Sequence, residues 1–163
     1  MKLILITFMS VMLSLGVSAQ AKINIYNPDA DAKADISAAV KIAAAQGKQV
    51  FLQIGGNWCP WCIRFHKMVE EDHELDSIVK ADYVVVKVNF SKENPNNAVL
   101  ASLDYPQRFG FPVFVILDSS GKRIHTQDSS LLEEAKGYGH EKVKNMFLMW
   151  SADAIRKTAE KYR

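Results

Sequence analysis

Short apolar runs alternate along the chain with stretches whose apolar residues recur every three or four positions. Ile23-Asn24-Ile25-Tyr26 alternates, which predicts a short strand broken by Asn27-Pro28-Asp29. Ile36, Val40 and Ala43 then fall at helical spacing in an Ala-rich stretch, predicting a helix over about 30–46 that Gly47 stops. Val50-Phe51-Leu52-Gln53-Ile54 is nearly all apolar, as a strand covered on both faces is. Gly55-Gly56-Asn57 reads as a turn, and a helix is expected from near Cys59 to about 69, with Ile63, Met68 and Val69 able to face inward. A second buried strand is expected over 83–88. A loop at Asn94-Pro95-Asn96-Asn97, a helix carrying Val99, Leu100 and Leu103, and a third strand over 113–117 follow. Asp118-Ser119-Ser120-Gly121 is a turn signal, after which 122–126 returns as an antiparallel partner. Two amphipathic stretches, about 140–150 and 152–162, close the chain, with Ser151 as a cap between them. The Glu70-Glu71-Asp72 run reads as a solvated face, and Met146, Phe147, Met149 and Trp150 as core or lid.

Strands alternating with helices imply parallel crossovers, and the late hairpin adds an antiparallel edge. One α/β sheet covered by helices fits 163 residues. The 48% hydrophobic and 23% charged content excludes a disordered chain. A net charge of +2, from 20 basic against 18 acidic residues, is too even for a nucleic-acid footprint, so no nucleic-acid partner is expected.

The N-terminus adds an address. Lys2, an apolar run over 3–17 and the small residues Ser18 and Ala19 form a secretory signal pattern, with cleavage expected after Ala19. The run is shorter than the about 20 residues that cross a bilayer. Residues 1–19 are therefore expected to be removed, leaving 20–163 as one exported domain without stable membrane insertion. A bacterial periplasm, which permits disulfides, is the expected compartment.

Two cysteines exclude a multi-disulfide scaffold. Their placement carries the chemistry. In Asn57-Trp58-Cys59-Pro60-Trp61-Cys62 the pair follows a buried strand and opens a helix. At a helix N-terminus, unpaired N–H groups and the macrodipole favour the Cys59 thiolate, the nucleophilic form. Cys62 lies on the same side of the first turn, with Cα atoms roughly 5–6 Å away, within disulfide range. Pro60 sits where its missing N–H does no harm. A static staple is the competing reading, yet so short a loop contributes about 2 kcal/mol against about 4.7 for a 100-residue loop. Zinc usually takes four ligands, and there is no second cysteine pair.

These residues resemble the thioredoxin superfamily over roughly 48–122. The resemblance rests on Trp58-Cys59-Pro60-Trp61-Cys62 after a hydrophobic strand, Lys87-Val88-Asn89-Phe90 ending the next strand, and Phe109-Gly110-Phe111-Pro112 leading into the third. It implies a thioredoxin-like fold: a central mixed sheet flanked by helices, here with an extra C-terminal helical segment. It also implies thiol–disulfide exchange with exported protein substrates, with no cofactor beyond the cysteine pair. Cys59 would be the attacking and Cys62 the resolving thiol. Pro112 would be cis and would hold the substrate backbone, with Phe111, Trp58, Pro60 and Trp61 completing the contact surface. The preferred direction is reductase, fed by a membrane electron-donor thiol carrier. Oxidants and isomerases share the fold, and potentials within it differ by about 150 mV, about 7 kcal/mol for two electrons.

The chain departs from the family at Gln53, where thioredoxins carry a buried Asp six residues before the first cysteine. An amide cannot relay a proton as a carboxylate can. Lys87 thus lacks its usual acidic partner, and Glu70 is a candidate neighbouring acid. His66 lies four residues after Cys62. A copper-binding or non-catalytic interaction protein is therefore the alternative, while a solvent-facing helix histidine is the simpler account of His66. His73, His125 and His140 show no partner pattern. Glu133-Glu134 and Gly137-Tyr138-Gly139 lie beyond the resemblance.

Overall fold

The computed structural model describes residues 23–163. The expected signal segment, 1–19, lies outside the described residues. Ile25 and Tyr26 form no strand: their backbone N–H groups are taken by the Asn57 side chain rather than by a neighbouring strand.

Helix α1 (Ala32–Gln46) starts at Asp31, whose carboxylate accepts from Ala34 N–H, and ends at Gly47 in the left-handed conformation (φ 67°). Strand β1 (Gln49–Gly55) is buried along its whole length. Helix α2 (Pro60–Glu71) follows the turn, and α3 (His73–Asp82) follows it at once. The pattern reading missed α3. Asp72, taken for part of a solvated run, is its N-cap and accepts from Glu74 and Leu75 N–H at 3.0 Å each. Strand β2 (Tyr83–Asn89), α4 (Asn97–Ser102), β3 (Val113–Leu117) and β4 (Arg123–Asp128) come next. A two-residue hairpin, β5 (Glu133–Glu134) and β6 (Gly137–Tyr138), precedes α5 (His140–Met149) and α6 (Ala152–Lys161). Ser151 caps α6 as expected, accepting from Ala154 N–H at 3.2 Å.

The main sheet has the order β2-β1-β3-β4. β1 and β2 are parallel, but β3 runs antiparallel to β1, which corrects the expectation of parallel crossovers throughout. The reversal follows from the connection. After β2 the chain passes through short α4 and a 3-10 turn at Pro106–Phe109, so it re-enters the sheet from the end where β2 left it.

Period-two alternation divides the core. Val50, Leu52, Ile54, Val86, Val88 and Val115 face α1 and α4. Phe51, Phe114 and Ile116 face the other way, against Phe65 of α2, Val79 of α3 and Phe147 of α5. Phe51 stacks on Phe114 at 5.2 Å between ring centroids and meets Phe147 edge-on at 5.0 Å. Gln53, two residues after Phe51, is thereby aimed under α2. Met146 and Phe147 join this core, but Met149 is exposed, contrary to expectation, because α5 presents it away from the sheet. Trp150 stacks on His125 at 4.1 Å.

Candidate active site

β1 delivers the chain into the turn at Gly55-Gly56, and α2 leads away from it with Cys59 as its N-cap. Cys59 and Cys62 form a disulfide with Cα atoms 5.3 Å apart. Cys59 Sγ also accepts the Cys62 backbone N–H at 3.1 Å. Pro60 occupies the first helical position, where no N–H is needed. The helix start thus directs an amide N–H and the positive end of its dipole at the leading sulfur. Both cysteines are buried, Cys62 completely and Cys59 to 3% exposure. Attack must therefore come through a narrow window at Cys59.

Aromatic residues frame that window. Trp58 is 55% exposed, and its indole N–H donates to the Phe90 carbonyl at 2.7 Å. Its ring meets Phe111 edge-on at 5.5 Å, and Phe111 stacks on Phe90 at 4.7 Å. Phe111 packs on the cluster of Tyr26, Cys59 and Cys62, and so does Trp61. The Arg64 guanidinium lies over the Trp61 ring, 4.8 Å from its centroid, and the ring of Tyr138 meets it edge-on at 5.3 Å. The Phe111–Pro112 peptide bond is cis. Pro112 itself is buried at the start of β3.

Beneath the pair, Gln53 and Lys87 are register partners across β1 and β2. Lys87 Nζ donates to Gln53 Oε1 at 3.1 Å, so the amide replaces the missing acidic partner. Gln53 Nε2 donates to the Tyr26 hydroxyl at 2.9 Å and to the Cys62 carbonyl at 3.1 Å. Burial lowers the Lys87 pKa, and the nearby Glu70 carboxylate partly offsets that. A cavity of about 310 Å³ opens beside them, lined by Gln53, His66, Glu70, Lys87 and the rings of Phe51 and Phe65. His66 turns into this cavity and pairs with Glu70 at 3.2 Å rather than joining the cysteines. Burial, with the Lys87 charge, lowers its pKa. Among the described residues, no group of three or more His, Cys, Asp or Glu side chains could hold a metal ion.

The pattern reading missed three participants. Tyr26 reads as a strand residue, yet it is buried against the disulfide. Asn57 reads as a turn residue. Its side chain accepts from Ile25 and Tyr26 N–H at 2.8 and 3.0 Å and donates to the Tyr26 carbonyl at 2.8 Å. Tyr138, in the tail, packs on both Trp61 and Phe65. Only Asn57, inside the cysteine motif, lay where a sequence signal pointed.

The chain is similar to known proteins in sequence and in fold. The family model described as thioredoxin-like matches residues 31–119. The thiol:disulfide interchange protein DsbD of Actinobacillus pleuropneumoniae serotype 5b (strain L20) is 28% identical over 110 residues, 68% of this chain. DsbD of Salmonella typhi is 28% identical over 81 residues, 50% of the chain. The chain spans only 17% and 14% of those two proteins. The crystal structure of a disulphide isomerase from Xylella fastidiosa Temecula1 superposes with a TM-score of 0.70 at 23% identity, covering 78% of this chain and 97% of that one. That likeness establishes the shared fold.

Proposed function

The chain belongs to the thioredoxin-like family, and from that premise we propose that it is a thiol–disulfide oxidoreductase that reduces disulfides in exported proteins. The observation that carries the reading is Cys59 at the N-cap of α2, its sulfur accepting the Cys62 N–H and its partner one turn away. In the reduced protein, the Cys59 thiolate attacks a substrate disulfide. One substrate sulfur leaves with the electron pair of the broken bond and takes a proton, and a mixed disulfide remains. The Cys62 sulfur then attacks Cys59 Sγ. The second substrate sulfur leaves as a thiolate and takes the proton that Cys62 gave up. Two electrons have passed from the cysteine pair to the substrate.

Trp58, Trp61, Pro60 and Phe111 offer an apolar rim on which an extended substrate segment would lie, and Pro112 would present its backbone beside the pair. Gln53 and Lys87 would tune the buried side of the site. The signal-like start supports export to a periplasm. There a membrane thiol carrier would return the electrons, and the relatives' description as thiol:disulfide interchange proteins supports that kind of partner. No helix among the described residues is long and apolar enough to cross a membrane.

The test is insulin reduction coupled to dithiothreitol. Cys59→Ser is expected to abolish turnover, and full activity in that variant would overturn the reading. Cys62→Ala should accumulate mixed disulfides with exported proteins. A reduction potential in the oxidant range, near about −120 mV rather than about −270 mV, would reverse the direction proposed here.

A further inference from the structure

The resolving sulfur is sealed in, and the carboxylate that the family places beneath it is absent. With no carboxylate there to take the Cys62 proton, a buried donor that stabilises the Cys62 thiolate favours its attack on the mixed disulfide. The groups facing that corner are few. Lys87 approaches from β2 but stands at the oxygen end of the Gln53 amide, whose NH2 end faces Tyr26 and the Cys62 carbonyl. His66 and Glu70, on α2, pair with each other across the cavity. Tyr138 sits on β6, behind Trp61. The remaining group is the Tyr26 hydroxyl, which belongs to the same buried cluster as both cysteines.

Its orientation follows from donor and acceptor logic. A lysine ammonium only donates, so the Gln53 oxygen faces Lys87 and the Gln53 NH2 faces Tyr26. The Tyr26 oxygen therefore accepts, and its own proton is left to donate. Among the described residues it makes no such bond in the oxidised protein. Gly55 brings the hydroxyl and the resolving sulfur near one another. A Cβ built on Gly55 would fall within 3.0 Å of both the Tyr26 hydroxyl and Cys62 Sγ. The two atoms thus border the same Cβ position, no more than twice that distance apart. Asn57 fixes the arrangement by holding the Tyr26 backbone with both ends of its amide.

We propose that the Tyr26 hydroxyl donates a hydrogen bond to the Cys62 thiolate in the reduced protein and in the mixed disulfide. Gln53 orients its hydroxyl and Asn57 anchors its backbone. The role presupposes the exchange chemistry proposed above. Tyr26 keeps its proton throughout. The Cys62 proton leaves as before, ending on the departing substrate sulfur, and the Tyr26 bond lowers the cost of the charge left behind.

Reduced protein treated with 5,5′-dithiobis(2-nitrobenzoate) releases one aryl thiolate when Cys59 attacks and a second when Cys62 closes the disulfide. Cys62→Ala identifies the second phase by losing it. In Tyr26→Phe the first release is expected to stay within about twofold. The pH midpoint of the second is expected to rise by about one unit, the scale of a hydrogen bond to a charged group. Its rate at neutral pH should fall about threefold, because the more basic thiolate recovers part of the loss in nucleophilicity. Asn57→Ala frees the segment without touching the ring, and its midpoint should rise as well. An unmoved midpoint in either variant overturns the proposal, whatever happens to thermal stability. A wild-type protein that gives no second release would overturn the exchange reading itself, and the Tyr26 role with it.

Discussion

Gly55→Ala tests the packing around the cysteine pair with a single methyl group. The new Cβ would lie closer than 3.0 Å to Cys62 Sγ and at 3.0 Å from the Tyr26 hydroxyl. Overpacking of this kind costs about 1–3 kcal/mol. The cost depends on redox state. In the oxidised protein Cys62 Sγ is bonded to Cys59 and cannot turn away. In the reduced protein it can rotate about its own Cα–Cβ bond, and much of the clash is relieved. Most of the penalty therefore falls on the disulfide form, making the variant easier to reduce. At about 30 mV per 1.4 kcal/mol for two electrons, the potential should rise by roughly 20–65 mV. The assay equilibrates wild type and variant in glutathione buffers of graded ratio, quenches with acid and counts free thiols by mass after alkylation. The melting temperature of the oxidised variant should also fall more than that of the reduced one. A potential within about 10 mV of wild type, or equal losses of stability in both states, would refute the reasoning.

Two further outcomes can be checked by unfolding. Gln53→Ala leaves the buried Lys87 ammonium, the Tyr26 hydroxyl and the Cys62 carbonyl without their amide partner. A loss of about 2–4 kcal/mol is expected in urea unfolding, and a change under about 0.5 kcal/mol would contradict the network. His140 is the second case: hydrogen bonding to Glu141, then contact with Asp72, raises its pKa above 6.5. A raised histidine stabilises fully below 6.5, and its contribution is lost as pH climbs through the folded value. His66, lowered by burial, acts with the opposite sign. His140→Gln should therefore flatten the decline in stability above pH 6.5 without removing the rise below it. The same decline in variant and wild type would exclude the His140 contacts as its source.

Much of the fold was legible because its periodicities are strong. The short apolar runs at β1 and β3, rich in β-branched and aromatic residues, read as strands covered on both faces, and the Cys59-Pro60 start of α2 combines an N-cap with a first-turn proline. The losses share a cause, since each depended on a partner far along the chain. The 23–26 segment alternates like a strand, but its backbone is satisfied by an asparagine side chain more than thirty residues away, so no strand partner is needed. Helix α3 hides behind an acidic run because Asp72 reads as surface charge rather than as a cap. With the cap recognised, Leu75, Ile78 and Val79 supply the helical spacing. The sense of β3 could not be read from an order of elements, because a helix between two strands does not by itself say at which end of the sheet the chain returns. The cysteine pair stood out because both of its members are local. Tyr26 did not, because only the folded chain brings it beneath Cys62.

The substitution of Gln53 for a carboxylate divides one residue's work among several. A buried acid can hold a lysine, orient a neighbour and carry a proton, but it does so with a charge that must itself be desolvated. Here the amide keeps the first two tasks: it accepts from Lys87 with one end and donates to Tyr26 and the Cys62 backbone with the other. It adds no titration of its own. The charge on that side of the site then depends on Lys87, whose pKa burial has already lowered, and on His66 and Glu70 facing the same cavity. A site built in this way leaves its dependence on pH to the two cysteines and to Lys87 and His66 beside them. The polar contact left to meet the resolving sulfur is a hydroxyl that never needs to ionise.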